Sequence, residues 1–145
     1  MPSPQLKLWN TILAIDPGTS KIGYALLDSN QNAIEKGIIR DLSKLDDAVR
    51  DIIKKFKPEI IVIGNGTGSD GICERIKPVA RGLQIVVVDE SGTTEEARKR
   101  YWSKIKPGIR TFKMIAYILG LIKIELDDEV AVGIGLRYLN LKESA

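Results

Sequence analysis

The 145-residue chain contains no histidine. That removes Ser-His and Cys-His nucleophile pairs, HExxH zinc sites and histidine acid–base catalysis, so any chemistry must run on carboxylates, lysines, hydroxyls or a bound metal. One cysteine, Cys73, excludes an internal disulfide and fits a reducing compartment. Long apolar runs are missing too. The longest without a charge, Met114 to Ile122, falls far short of the ~20 residues needed to span a bilayer. The opening MPSPQLKLWN has none of the apolar core of a signal peptide. Together these absences predict a cytoplasmic protein with no membrane partner. Internal repeats and low-complexity segments are absent as well.

What is present is the composition of one globular domain: 43% apolar, 28% charged and a net charge of +3. Residues 1–10 read as a flexible polar lead and 11–145 as a single domain. The central stretch is Thr11 to Asp28, TILAIDPGTSKIGYALLD. Ile12 to Ile15 form an apolar run suited to a strand buried on both faces, ending on Asp16. Pro17 to Ser20 is a turn cluster, and a second strand leaves through Lys21 to Ala25. Ala33 to Arg40 reads as a third strand, making three sequential antiparallel strands.

Leu42 to Phe56 is an amphipathic helix, with Ser43 as candidate N-cap and Pro58 limiting its extension. Glu59 to Gly64 is a buried strand, followed by the glycine-rich Gly64-Asn65-Gly66-Thr67-Gly68. A helix over Asp70 to Ile76 precedes Pro78, and Leu83 to Asp89 is expected as another buried strand. Helices follow over Thr93 to Ser103, over Arg110 to Ile124 beyond a Pro107-Gly108 break, and from about Asp127 to Leu139. The order predicts an α/β fold, a mixed sheet flanked by helices. Sites in such sheets lie outside the carboxyl ends of the parallel strands, where Asp16, Gly64 and Glu90 fall.

Two constellations could carry chemistry. The first is acidic: Asp16, Asp89-Glu90 and Asp127-Asp128. Gathering like charges is unfavourable unless a cation relieves the repulsion, and Mg²⁺ or Mn²⁺ choose such oxygen ligands. Two such ions can activate water and stabilise the leaving oxygen of a phosphodiester. Asp16 could instead bond its own turn, and Asp127 or Asp128 could cap the last helix. Asp89 and Glu90 alternate across their strand, and the longer stem of Glu90 suits a strand farther from the centre.

The second constellation is basic. Arg98 to Lys113 (RKRYWSKIKPGIRTFK) holds Arg98, Lys99, Arg100, Lys104, Lys106, Arg110 and Lys113, no acids, and the aromatics Tyr101, Trp102 and Phe112. Cations interleaved with aromatics suit phosphate contacts and base stacking. The same run fits a solvated helix face with its aromatics in the core. Thr93 with Glu96 fits a capping box. The GNGTG turn lacks the lysine of a P-loop, and Ala131, Gly133 and Gly135 suit close packing of the last helix on the sheet.

IDPGTSKIGYAL, a strand ending VIGNG, VVVDESGTTEEARKRYW and DDEVAVGIGLRYL, in that order, resemble the YqgF/RuvC-like nucleases of the RNase H-like superfamily. The likeness covers about Ile12 to Leu139, and it is nearest the branch named for pre-16S rRNA processing or Holliday junction resolution. It implies an RNase H-like five-stranded sheet of order 3-2-1-4-5 and a Mg²⁺- or Mn²⁺-dependent nuclease acting on an RNA precursor or branched DNA. By position Asp16 matches the first-strand aspartate, Glu90 the acid of the "DE" motif and Asp128 the aspartate of "DxxAA", with Asp127 as a further metal ligand. Lys21 and the 98–113 run, Trp102 included, would hold nucleic acid. Where the YqgF motif usually continues DER, Ser91 stands here. Relative to RuvC, the strand ending at Gly64 carries no acid.

Three rival readings stay in view. A resolvase requires a two-fold dimer, and Met114 to Ile122 would be either its interface or plain core. A catalytically weak binding module would use only the basic run. The hairpin also resembles the phosphate hairpin of actin-like ATPases, which need two such lobes.

Overall fold

A computed structural model describes residues 11–144, so the expected lead over residues 1–10 lies outside the described residues. Five strands, β1 (Ile12–Asp16), β2 (Ile22–Leu27), β3 (Ala33–Ile39), β4 (Ile60–Gly64) and β5 (Gln84–Val88), form one sheet of order β3-β2-β1-β4-β5. β1 to β3 run antiparallel, while β4 and β5 run parallel to β1. The helices are α1 (Leu45–Phe56), α2 (Ser69–Ala80), α3 (Thr93–Ser103), α4 (Pro107–Ile118) and α5 (Asp127–Ser144).

The alternation of β1 sorts the core into two layers. Leu13 and Ile15 join Ile61 and Ile63 beneath α1 and α2. Ile12 and Ala14 join Val62 and Val88 beneath α3 and α5. Gly135 lets α5 settle on the sheet, since a Cβ there would meet Leu27 and Ala14, whereas Gly133 faces Thr93 and Arg100 of α3. Among the described residues no helix is long and apolar enough to cross a membrane.

Several local expectations are corrected. A 3-10 turn over Leu42–Lys44 precedes α1, and its cap is Asp41, which accepts hydrogen bonds from the Ser43 N–H (3.0 Å) and Oγ (2.7 Å). α2 does not stop before Pro78 but continues to Ala80. The ring removes one intrahelical bond, and burial of Val79 and Ala80 offsets that loss. β5 is an edge strand rather than a fully buried one, with Val87 about half exposed. The Thr93–Glu96 capping box does not form. Gly92, at φ 82°, is the N-cap, and its carbonyl accepts the Glu96 N–H.

The largest departure is α4. It begins at Pro107, a favoured first helical position, and ends at Ile118, short of the expected Ile124. None of its residues is buried; Phe112 is 77% and Ile118 79% exposed. Helical periodicity predicted an apolar face here, but no layer of the fold covers it, so Met114 to Ile122 is not core. α4 leans on α3 through the Trp102–Tyr117 ring pair and through Lys113 over Tyr101.

Candidate active site

Asp16 closes β1, opposite Gly23 of β2. A Cβ on Gly23 would overlap the Asp127 carbonyl, so that glycine lets the first turn of α5 come down beside Asp16. Glu90 follows β5 and reaches back across the end of β4. Its carboxylate lies so close to Gly64 and Gly66 that a Cβ on either would overlap it. The glycine-rich turn, weak as a phosphate cradle, is therefore the seat of Glu90.

The backbone at Glu90 is held from both sides. Asn65 Oδ1 accepts its N–H (3.1 Å), while its carbonyl accepts from Thr93 Oγ1 (2.6 Å) and the Thr93 N–H (3.0 Å). Neighbouring Asp89 is turned to its own loop, accepting from the Ser91 N–H and Oγ. Arg137 ties this loop to α5 by donating to the Asp89 and Ser91 carbonyls.

Three acids from separate parts of the chain thus share one electrostatic neighbourhood. Burial, then the charge of Glu90, then that of Asp127 push the Asp16 carboxyl up to about 7. Burial, with Asp89 adding, also raises Glu90. Glu90 Oε2 is buried with no hydrogen-bond partner, a costly state for a carboxylate oxygen. Asp128 does not figure among the charges acting on Asp16, and its Oδ1 accepts the Glu129 N–H (2.8 Å). Asp127 instead meets Lys21, with Nζ 3.2 Å from Oδ2.

Among the described residues, no three carboxylates form a ready-made metal cage. The donor set still fits Mg²⁺ or Mn²⁺. Mg²⁺ in particular commonly takes one or two carboxylates and completes its shell with water and substrate phosphate. The orphaned Glu90 oxygen and the crowded Asp16 are where such a ligand would relieve strain.

The basic run divides. Arg98 pairs with Glu95, and Lys99 and Lys106 lie on the surface. Arg100 and Lys104 are bound, together with Lys36, to Glu129, which is only 5% exposed. Burial works to raise the Glu129 carboxyl, but Lys36 and Lys104 outweigh it and hold it below the usual range. Arg110 donates to the Ile105 carbonyl (2.9 Å). Trp102 packs edge-on against Tyr101 and Tyr117, between α3 and α4 rather than in the core.

Two residues were invisible as partners in the sequence. Glu125 lies between Lys21 (3.1 Å) and Arg40 (2.6 Å), which hold its carboxyl down at about 2. Glu125 carried no local signal of this, standing two residues beyond Lys123 in the connection before Asp127.

The sheet order, with Asp16 closing its central strand and Glu90 following its edge strand β5, defines an RNase H-like fold. Residues 10–97 match the family described as the Tex protein YqgF-like domain, and the chain belongs to that family. It is 28% identical over 107 residues to a protein of Serratia proteamaculans named as a pre-16S rRNA nuclease, covering 65% of this chain and 76% of the relative. It is 33% identical over 64 residues to the crossover junction endodeoxyribonuclease RuvC of Prochlorococcus marinus, covering 36% of this chain. The chain spans 42% of that relative's length. Among solved structures, Thermus thermophilus RuvC superposes with a TM-score of 0.59 at 12% identity, over 93% of this chain and 97% of that one. Fowlpox virus resolvase, solved with Holliday junction DNA, superposes with a TM-score of 0.60 at 15% identity, over 91% and 98%.

Proposed function

We propose that the protein is a divalent-metal-dependent nuclease that hydrolyses phosphodiester bonds in structured nucleic acid, with an rRNA precursor as its substrate. The observation that carries this is the approach of Asp16, Glu90 and Asp127 from β1, the β5 end and α5. One acid is pushed to about 7 and another has an orphaned oxygen. The relative named for pre-16S rRNA supports the RNA assignment.

Asp16 and Glu90 would hold Mg²⁺ or Mn²⁺, with the first turn of α5 supplying the third acid. Asp128 is the residue matched by the family motif, and Asp127 is the one beside Asp16. The ion, when bound, would activate water and stabilise the leaving oxygen. Asn65 and Thr93 fix the backbone of Glu90, so the side chain starts from a set position beside the end of β4. Lys21 would steady the phosphate backbone, and exposed Lys99 and Lys106 would extend that contact.

The test is cleavage of single-stranded RNA, hairpin RNA, duplex DNA and four-way-junction DNA with Mn²⁺, comparing wild type with Asp16→Asn, Asp127→Asn and Asp128→Asn. Metal-dependent cutting of RNA lost in Asp16→Asn is expected. Binding that persists in EDTA, with no cutting under any metal, would replace the nuclease by a binding module.

A second reading, Holliday junction resolution by a homodimer, is favoured by the uncovered apolar face of α4. Burying that face in a two-fold contact would remove it from water. Sedimentation of wild type and Ile118→Lys decides: a wild-type monomer at high concentration would exclude the resolvase.

A further inference from the structure

Beside the acid cluster lies an open cleft of about 710 Å³. Lys21, Arg40, Lys123 and Glu125 line it, with Tyr117 of α4 on its rim. Lys21 lies just before β2 and Arg40 just beyond β3, so two cations from adjacent strand ends face one carboxylate. Glu125 belongs to the 119–126 connection between α4 and α5, which has no regular secondary structure. Glu125 Oε2 alone takes both contacts, from Lys21 Nζ (3.1 Å) and Arg40 Nη1 (2.6 Å). Lys21 also reaches Asp127 Oδ2 (3.2 Å), which joins the cleft to the acid cluster.

We infer that Lys21 and Arg40 form a subsite for a backbone phosphate of the nucleic acid, and that Glu125 occupies it in the free protein as an exchangeable carboxylate stand-in. This rests on the nuclease reading and deepens it. The Arg40 side chain is 64% exposed and that of Glu125 32%, so the pair is of the weak, solvated kind that another anion can displace. A phosphate offers more acceptor oxygens than the single carboxylate oxygen now used, and guanidinium binds it in a two-pronged fashion. Exchange leaves both cations paired. It also frees the 119–126 connection, so substrate binding and the position of α4 are linked through one side chain.

The probe is inorganic tripolyphosphate in EDTA, its affinity for each variant measured by isothermal titration calorimetry. Glu125→Gln should bind it about tenfold more tightly than wild type. Adding Arg40→Ala to Glu125→Gln should return affinity to within about twofold of wild type. Glu59→Gln, which removes an exposed acid at the other end of β4, should give no gain. Equal affinity in Glu125→Gln and wild type, or a gain that survives loss of Arg40, overturns the subsite. The readout involves neither cleavage nor metal. A tighter Glu125→Gln with no substrate cut would sink the nuclease and leave the subsite standing. Cleavage dependent on Asp16 with no gain in Glu125→Gln would sink the subsite alone.

Discussion

Asp16→Asn should make the metal-free protein more stable at alkaline pH, although it should abolish cleavage. The folded Asp16 carboxyl titrates at about 7, against 3.8 without the fold. Between those values the native state keeps a proton that the unfolded chain has lost. Stability therefore falls as pH rises through the window, and the whole penalty applies above about 7. A displacement of roughly three units corresponds to a ceiling of ~4 kcal/mol. Asp16 is only partly buried, so water screens its charge and about 1–2 kcal/mol is the working figure. The amide keeps the shape and removes the charge.

Urea unfolding in EDTA, followed by circular dichroism, should show the variant ahead by that amount at pH 8. The gap should shrink to a few tenths of a kcal/mol near pH 3.5. Mn²⁺ at ten times its Kd should then stabilise the wild type by about 1.4 kcal/mol and leave the variant nearly unmoved. A variant less stable than wild type at pH 8, or a difference that does not change with pH, would refute the burial of Asp16 and its crowding by Glu90 and Asp127.

Gly66→Ala should cost less than about 1 kcal/mol of stability, because the atom in its way is the tip of a flexible side chain, Glu90 Oε1. It should nevertheless depress metal-dependent cleavage as far as Glu90→Gln does; full activity would show that the seat is irrelevant. Glu129→Ala should lower stability by about 3 kcal/mol, since Lys36, Arg100 and Lys104 lose a shared buried partner. A loss under 0.5 kcal/mol in urea unfolding would show the cluster to be no more than a surface pair. Lys99→Ala with Lys106→Ala should reduce the slope of log K against log salt by about two on duplex substrate, with the fold unchanged. An unaltered slope would place the substrate elsewhere.

The strands were legible because β1, β2 and β4 carry apolar runs between turn residues, and such runs have few alternatives, whereas their order came from the resemblance to the YqgF/RuvC-like nucleases. Asp16 and Glu90 stood out for the related reason that a carboxylate at the end of an apolar strand is costly to bury. Periodicity identifies an apolar face without saying what covers it, and on that point β5 and α4 misled. β5 has the composition of a central strand but no neighbour beyond it, and α4 has the pattern of a core helix but no layer above it. Pairings between distant residues carry no local signal. Arg40 and Glu125 are 85 positions apart, and Lys36 and Glu129 are 93 apart. The basic run looked uniform as a string, yet Arg100 and Lys104 are tied to one buried acid encoded beyond it. The glycines at 64 and 66 were visible, but only the return of Glu90 across β4 explains why side chains are missing there.

The way α5 lies over the sheet has a consequence for synthesis. It packs against all five strands and against α3. The face it covers, from Ile12 and Ala14 to Leu27, Val62 and Val88, is encoded almost entirely ahead of it. A chain emerging N-terminus first completes its strands and α1 and α2 while that face is still bare. Contacts between the first strands and α5 close loops of over a hundred residues, which slows the final step. Truncation after Leu126 should leave an expanded, dye-binding species rather than a smaller native domain. Until residues 127–144 have been made, the half-built sheet exposes that apolar face to water.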